Sequence, residues 1–137
     1  MIGMSNKSKY ALAVVLELAL QKKDVPIQIK TLAGTRDVPK KYLEQILIEL
    51  KKQGLLKSVR GAQGGYSLAQ SSDKITVADI ISALEGKSSL AEGYCGGDVL
   101  KTFWAKAEQQ CEDIFKVTIA ELVDQKRHAE SCLTFNI

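Results

Sequence analysis

The chain has 137 residues, 45% of them hydrophobic and 26% charged, a composition that predicts one globular domain with a modest core and excludes a disordered chain. It contains no apolar run of about 18 residues and no signal-peptide core near its start, so we expect a cytoplasmic protein with no membrane partner. The cysteines Cys95, Cys111 and Cys132 lack CxxC or zinc-finger spacing, which argues against a disulfide framework or a structural zinc site.

The charge is distributed unevenly along the chain. The net charge is +3, but residues 1–70 carry 12 Lys or Arg against 5 Asp or Glu, a net +7, whereas residues 71–137 carry 7 against 11, a net −4. A basic half is typical of a surface that approaches nucleic-acid phosphates, although a solvated basic surface has the same composition. Charge alone leaves both interpretations open.

The first half of the chain predicts three helices. Apolar residues at helical spacing predict a first helix over about residues 5–22, followed by a short strand at 27–29 and a short helix over 30–35. Pro39 suits the first position of a third helix, where its missing N–H has no partner to lose, and Gly54 ends that helix. The buried face of the third helix is expected to consist of Leu43, Ile46, Leu47 and Leu50.

A short hairpin follows the third helix. Residues 56–59 and 66–68 can pair as antiparallel strands, joined by residues 61–65, whose three glycines accept positive φ and let the backbone approach a surface closely. A helix, a glycine stop and a glycine-rich hairpin in this order are typical of a winged helix-turn-helix. The predicted fold class is therefore mainly α, with a two-stranded wing.

Beyond the wing, the sequence predicts a fourth helix, a loop and one long helix. Thr76 and Asp79 form a capping box that begins the fourth helix, which ends before Gly86. An apolar stripe then predicts a long helix, and we expect this helix to pair with its copy in a homodimer; folding back onto its own domain is the alternative. The predicted organisation is a winged helix-turn-helix DNA-binding domain at 1–86, a sensor loop at 87–97, a dimerisation helix at 98–126 and a C-terminal tail at 127–137.

The second helix of a helix-turn-helix enters the major groove by its N-terminal residues. There, Gln45 can hydrogen-bond an adenine edge and Glu44 can accept from a cytosine amino group, while the neighbouring lysines suit phosphates. Arg60, where the wing begins, can enter a narrow minor groove, and the wing glycines bring backbone N–H groups near phosphate. The predicted DNA-binding residues are Lys7, Lys40, Lys41, Tyr42, Glu44, Gln45, Arg60, Gly61, Gln63, Gly64 and Gly65.

Residues 4–86 contain a series of short motifs. They include Lys7-Ser8-Lys9-Tyr10-Ala11-Leu12, Tyr42-Leu43-Glu44-Gln45, Val59-Arg60-Gly61, Gly64-Gly65-Tyr66 and Leu84-Glu85-Gly86. Their combination resembles the Rrf-two family of bacterial transcription regulators. The resemblance implies a winged-helix dimer, joined through the long helix, that binds a partly palindromic operator and usually represses. It also implies that Tyr42, Glu44, Gln45 and Arg60 act at DNA.

Beyond residue 86 the resemblance weakens, and the sensed signal stays open. One branch of the family ligates an iron–sulfur cluster with three closely spaced cysteines and a further His, Asp or Glu, whereas here only Cys95 and Cys111 are candidate ligands. A continuous helix from Asp98 to Cys111 would hold these thiols roughly 20 Å apart at about 1.5 Å per residue, so a shared cluster would need a cross-subunit site or a looser start to the helix. Alternatively, Cys95 is a plain redox thiol before a helix N-terminus, and Cys111 packs in an interface.

A second branch of the family carries no cluster and is controlled by binding cysteine synthase. Chains of that branch end in an aromatic residue and a terminal isoleucine, as this chain does with Phe135 and Ile137. An isoleucine side chain with a free carboxylate is a small anchor suited to a pocket. Phe135 and Ile137 are therefore candidate docking residues, and an uninvolved C-terminus is the alternative.

Catalysis is not expected. The single histidine, His128, lies 33 positions from Cys95, so neither cysteine nor histidine has an evident catalytic partner in the sequence. Residues 61–65 lack the GxxxxGK[ST] pattern of a phosphate loop. A winged helix that binds proteins instead of DNA is the remaining rival, and a steep loss of DNA affinity with salt would separate the two.

Overall fold

The computed structural model describes residues 5–21, 25–35, 38–86 and 89–135. In chain order these residues form α1 (Asn6–Leu20), α2 (Ile29–Thr35), α3 (Lys40–Lys52), β1 (Leu56–Val59), β2 (Gly65–Leu68), a 3-10 helix (Ser72–Lys74), α4 (Val77–Glu85), α5 (Asp98–Phe115) and α6 (Ile119–Phe135). The mainly helical fold with a two-stranded antiparallel sheet confirms the predicted fold class. No helix within the described ranges is both long and apolar enough to cross a membrane.

The core forms where α1, α3, α4 and α6 meet the base of the sheet. In α3 the apolar residues recur at helical spacing, and all four side chains of the predicted face are fully buried: Leu43, Ile46, Leu47 and Leu50. Burying one such side chain stabilises a fold by roughly 1.5–3 kcal/mol. The buried face therefore fixes how α3 sits on the domain and leaves its opposite face in solvent.

The sheet is a short hairpin that also pairs with the segment before α2. The register of β1 and β2 runs from Leu56 opposite Leu68 to Val59 opposite Gly65. Ile27 exchanges two backbone hydrogen bonds with Tyr66, of 2.8 Å and 2.9 Å. The strand predicted at 27–29 is therefore a single bridging residue, because Ile29 already begins α2.

Glu85 at the end of α4 holds the start of α1. Its Oε1 accepts hydrogen bonds from the Ser5 amide at 2.9 Å and the Ser8 hydroxyl at 2.7 Å, as well as from the Ser5 hydroxyl. These bonds, those from Ser5 first, lower the pKa of Glu85 below its ordinary value because they favour the charged form. Ser5 is the N-cap residue, and its side chain makes no capping hydrogen bond within the helix. Glu85 therefore supplies the acceptor for the Ser5 backbone amide at this helix start.

The prediction of one helix over 98–126 is wrong. Two helices, α5 and α6, occupy this region and are separated at residues 116–118. Thr118 and Glu121 form a capping box, in which the Glu121 amide donates to Thr118 Oγ1 at 3.1 Å and the Thr118 amide donates to Glu121 Oε2 at 2.8 Å. The predicted tail at 127–137 is correspondingly helical as far as Phe135, the last described residue.

The new helix start is anchored on the winged domain. The Ile119 amide donates to the Ile75 carbonyl at 2.8 Å, and Thr118 forms an antiparallel bridge with Thr76. Ile119 and Val123 are buried in the domain core, where α6 packs against α1. The alternative prediction, that the helix folds back onto its own domain, is therefore right for α6. No residue of α5 is buried.

We expect Thr118→Ala to lower the free energy of unfolding by about 1 kcal/mol, because the first-turn amide of Glu121 loses its acceptor. Urea unfolding at a fixed protein concentration measures this loss. Thr102→Ala is the matched control: its hydroxyl donates to the Asp98 carbonyl within α5 and caps no helix end, so we expect a change below about 0.5 kcal/mol. Equal unfolding midpoints for the wild type and Thr118→Ala would contradict the capping role.

Candidate nucleic-acid interface

The residues of α3 that are predicted to contact DNA lie together on its first turns. The side chains of Lys40, Lys41, Glu44 and Gln45 are exposed, whereas the apolar side chains on the opposite face of the same helix are fully buried. Tyr42 is 40% exposed, and its ring centroid lies 6.0 Å from that of Tyr10 in α1. An aromatic pair at this distance is stabilising, so α1 fixes the direction of the Tyr42 ring.

The turn before α3 sets where these residues begin. Pro39 is the N-cap residue, one position earlier than predicted, because its ψ of 129° is extended and α3 starts at Lys40. The Pro39 carbonyl accepts from the amides of Tyr42 and Leu43, at 2.9 Å and 3.0 Å. Leu32 of α2 and Val38 of the turn are buried in the core, which docks the helix-turn-helix as one unit.

The wing presents Arg60 in solvent. Arg60 directly follows β1, and its side chain and those of Ala62 and Gln63 are exposed, as is Gly61. An exposed guanidinium beside a tight turn can enter a groove of a duplex without first breaking a protein contact. Residues 57–63, from β1 through the start of the turn, are therefore the exposed part of the wing.

Two wing glycines serve the packing of the turn. Gly64 is buried, and its amide donates to the Gly61 carbonyl at 3.0 Å. A Cβ at Gly64 would collide with the Val59 carbonyl oxygen, and one at Gly65 would collide with the carbonyl of Ile27. Since the Gly64 amide already has a partner, close packing accounts for these two glycines, and their predicted place at DNA stays a prediction.

Lys7 lies apart from α3 and the wing along the chain. It is half-buried in the first turn of α1, next to the buried Ser8 that donates to Glu85. Its predicted contact with DNA stays a prediction.

Cys95 and Cys111 are both free thiols, and no described disulfide or hydrogen bond joins them. Cys95 is half-buried in the loop before α5, and its Sγ lies 3.2 Å from the Ala91 carbonyl oxygen and 3.6 Å from that of Gly93. Cys111 lies roughly 20 Å along α5 from its start at Asp98, at about 1.5 Å per residue, but the loop before α5 folds back along this helix, where Ser89 Oγ donates to Glu108 Oε2 at 2.8 Å. Among the described residues, no three His, Cys, Asp or Glu side chains converge to hold a metal ion.

The C-terminal residues lie on or beyond α6. Both Cys132 and His128 belong to this helix and not to the predicted tail. Cys132 is exposed, and its Sγ lies 3.6 Å from His128 Nε2, one turn earlier. Ile137 lies outside the described residues, and Phe135 is described only as the last residue of α6. Docking through Phe135 and Ile137 therefore stays a prediction.

One face of α5 exposes large apolar side chains. Val99 is 83% exposed, Phe103 55% and Ile114 69%, and the Phe103 ring packs edge-on against Trp104 at a centroid distance of 5.1 Å. An apolar patch of this kind on a small protein is typical of an interaction site. We refer to Val99, Leu100, Phe103, Trp104 and Ile114 as the α5 face.

Comparisons with known proteins identify the family. The model of the Rrf2 (Rrf-two) family, described as an iron-dependent transcriptional regulator, matches residues 4–125. The HTH-type transcriptional regulator CymR of Bacillus subtilis is 43% identical over 89 residues, which span 65% of this chain and 64% of CymR. The HTH-type transcriptional regulator IscR of Pectobacterium carotovorum is 32% identical over 131 residues, or 90% of this chain and 80% of IscR.

Solved structures of CymR and of another IscR share the fold. The structure of CymR, the global cysteine regulator of B. subtilis, matches with a TM-score of 0.84 and 33% identity, covering 91% of this chain and 98% of that one. T. potens IscR matches with a TM-score of 0.80 and 35% identity, covering 91% and 88%. The expected function class, a DNA-binding transcription regulator and not an enzyme, is thereby confirmed. The chain belongs to the Rrf2 family of transcriptional regulators.

Proposed function

We propose that the protein is a homodimeric repressor that binds a partly palindromic operator, with α3 in the major groove and the wing in the minor groove. The observation that carries this proposal is the arrangement of α3, which exposes polar residues on one face and fully buries apolar residues on the other. A recognition surface on a rigid, packed helix holds its side chains in the narrow range of positions that base reading requires.

Each exposed side chain has a role that its chemistry suits. Gln45 reads an adenine edge through its amide, and Glu44 accepts from a cytosine amino group. Lys40 and Lys41 bind phosphates, which fixes the register of α3 on the duplex. Arg60 enters a narrow minor groove, where the negative potential is enhanced.

The dimer forms through the α5 face. Within the described chain, α5 buries none of its own residues, and its 18 residues extend about 27 Å at roughly 1.5 Å per residue. A two-fold interface between two copies of this face would remove its apolar side chains from water. A two-fold protein requires a two-fold site, so the operator is expected to contain two related half-sites.

Salt dependence tests DNA binding against the rival of a protein-interaction module. A dimer that contacts 6–10 phosphates loses about 10³–10⁵-fold in affinity between 50 and 200 mM salt. Fluorescence anisotropy with a labelled duplex should show this steep linear fall in log affinity with log salt. Binding that is weak and nearly independent of salt would favour the protein-interaction module.

The two candidate cysteines lack the further ligands that an iron–sulfur cluster requires, because no three His, Cys, Asp or Glu side chains of the described residues converge. We therefore expect protein purified without oxygen to be colourless, with iron far below one atom per chain. Visible absorption and iron analysis on the same sample check this. A brown protein with near-stoichiometric iron, lost in Cys95→Ala, would contradict the expectation and require a site formed across two subunits.

We infer that the signal comes from cysteine metabolism. Two observations support this: the likeness to B. subtilis CymR, a global cysteine regulator by its title, and the lack of three converging metal ligands among the described residues. Cysteine synthase, docking at Phe135 and Ile137, is the proposed partner. Removal of Ile137 should abolish co-purification with this enzyme and leave DNA binding intact.

A further inference from the structure

We propose that Gln28 is a positioning residue that holds the wing tip at the angle its contact with DNA requires. The Gln28 side-chain amide donates from Nε2 to the Ala62 carbonyl oxygen at 2.9 Å, across 34 positions of sequence. Ala62 lies two residues beyond Arg60, in the exposed turn of the wing. This inference rests on the proposed function of the wing at DNA.

The wing needs support from outside its own two strands. Each strand has four residues, and a two-stranded hairpin of this size is marginally stable by itself. Its base is fixed, since Leu56 and Ser67 are buried on the domain. Toward the turn, the side chains of Ser58, Val59 and Arg60 are exposed, so β1 contributes no packing there. This half of the hairpin is held by β2, through the packed Tyr66, and by the 2.7 Å hydrogen bond from Lys51 Nζ to Ser58 Oγ, neither of which reaches the turn itself.

The segment Ile27–Gln28 connects the turn of the wing to the helix-turn-helix. Ile27 exchanges two hydrogen bonds with Tyr66, and its carbonyl leaves no space for a Cβ at Gly65. The Gln28 carbonyl accepts from the amides of Thr31 and Leu32, at 3.0 Å and 3.1 Å, and so begins α2.

The adjacent residues Ile27 and Gln28 therefore make three connections: they begin α2, pair with β2 and bind the turn of the wing. Through them the position of Arg60 is tied to that of α3, because α2 packs against α3. Gln28 makes the bond of this segment that reaches closest to Arg60 along the wing.

A double-mutant cycle tests the positioning role. The probe is a duplex selected from a random pool by the wild-type protein, and the variants are Gln28→Ala, Arg60→Ala and both together. We expect about five-fold weaker binding for Gln28→Ala, the size of one lost hydrogen bond. The double variant should bind no more weakly than Arg60→Ala alone, because Gln28 acts through Arg60.

Gln70→Ala is the matched control, since its Nε2 also donates to a backbone carbonyl, that of Gly54 at 3.1 Å, but at the base of the sheet. Its affinity should equal that of the wild type. Hydroxyl-radical footprinting of Gln28→Ala should show reduced protection of the deoxyriboses in the minor groove, whereas dimethyl sulfate footprinting should show unchanged protection of guanine N7 in the major groove. Loss of both protections would indicate general damage to the fold and overturn the inference.

The outcomes separate the inference from the proposed function. If Gln28→Ala binds as the wild type does while Arg60→Ala binds more weakly, the positioning role is wrong and the wing contact stands. If the losses of the two single variants multiply in the double variant, Gln28 acts independently of Arg60, which also overturns the inference. If the wild type selects no duplex, the proposed function itself fails.

Discussion

Phe103→Glu should convert the protein to a monomer and weaken operator binding by about 100-fold or more. Phe103 lies within the α5 face and is 55% exposed in the single chain. In the proposed dimer the new carboxylate would be buried without a partner, at a cost of several kcal/mol. A monomer reaches one half-site at a time, and the loss of linked binding is worth about 10²–10⁴-fold. Sedimentation and a DNA titration measure the two effects.

Leu133→Glu is the matched control for this substitution. Leu133 is also a large exposed apolar residue, at 67%, but it lies on α6. We expect Leu133→Glu to stay dimeric with unchanged DNA affinity. Circular dichroism should show that Phe103→Glu retains the helical content of the wild type. A Phe103→Glu protein that sediments as a dimer would rule out pairing through the α5 face.

Arg60→Ala should weaken operator binding at least tenfold and leave the dimer intact. The guanidinium is exposed in the free protein, so its removal disturbs no internal contact of the described fold. In the proposed complex it lies in a narrow minor groove, which favours a planar, weakly hydrated cation over an ammonium group. Arg60→Lys should therefore recover only part of the affinity, although it restores the charge.

Lys74→Ala provides the comparison for simple loss of charge. Lys74 is an exposed cation in the 3-10 helix, away from α3 and the turn of the wing along the chain. Its removal should change affinity less than about two-fold, because an exposed distant charge is screened by salt. A gel-shift titration in which Arg60→Ala and the wild type bind equally would remove Arg60 from the interface.

The helix-turn-helix and the wing could be predicted because their signals are local. The apolar spacing of α3, the glycine stop at Gly54 and the capping box at Thr76 each act within a few residues. The stripe hides the break between α5 and α6, because it continues at helical spacing through Phe115, Thr118 and Leu122. The signal that marks it is Thr118-Ile119-Ala120-Glu121, which repeats the capping pattern of Thr76-Val77-Ala78-Asp79.

The candidate site also contains features that the sequence predicts and features that it does not. The exposed residues of α3 follow from the positions of its buried ones, and sequence analysis finds them. The bond from Gln28 to Ala62 and the collision that excludes a side chain at Gly65 join distant parts of the chain. Such contacts depend on how the wing packs beside α2, which no local pattern encodes. For the same reason the glycines of the wing suggested contact with DNA, while Gly64 and Gly65 are accounted for by packing.

The most direct test of the central claim is selection of binding sites from a random pool of duplex DNA, followed by sequencing. A two-fold symmetric dimer that reads bases through α3 should enrich one site with two inverted half-sites, their centres separated by whole helical turns of about 10–10.5 base pairs. Glu44→Ala and Gln45→Ala should each relax the preference at a defined position of both half-sites. Selection that enriches no common sequence, or a single half-site without symmetry, would contradict operator binding by a homodimer.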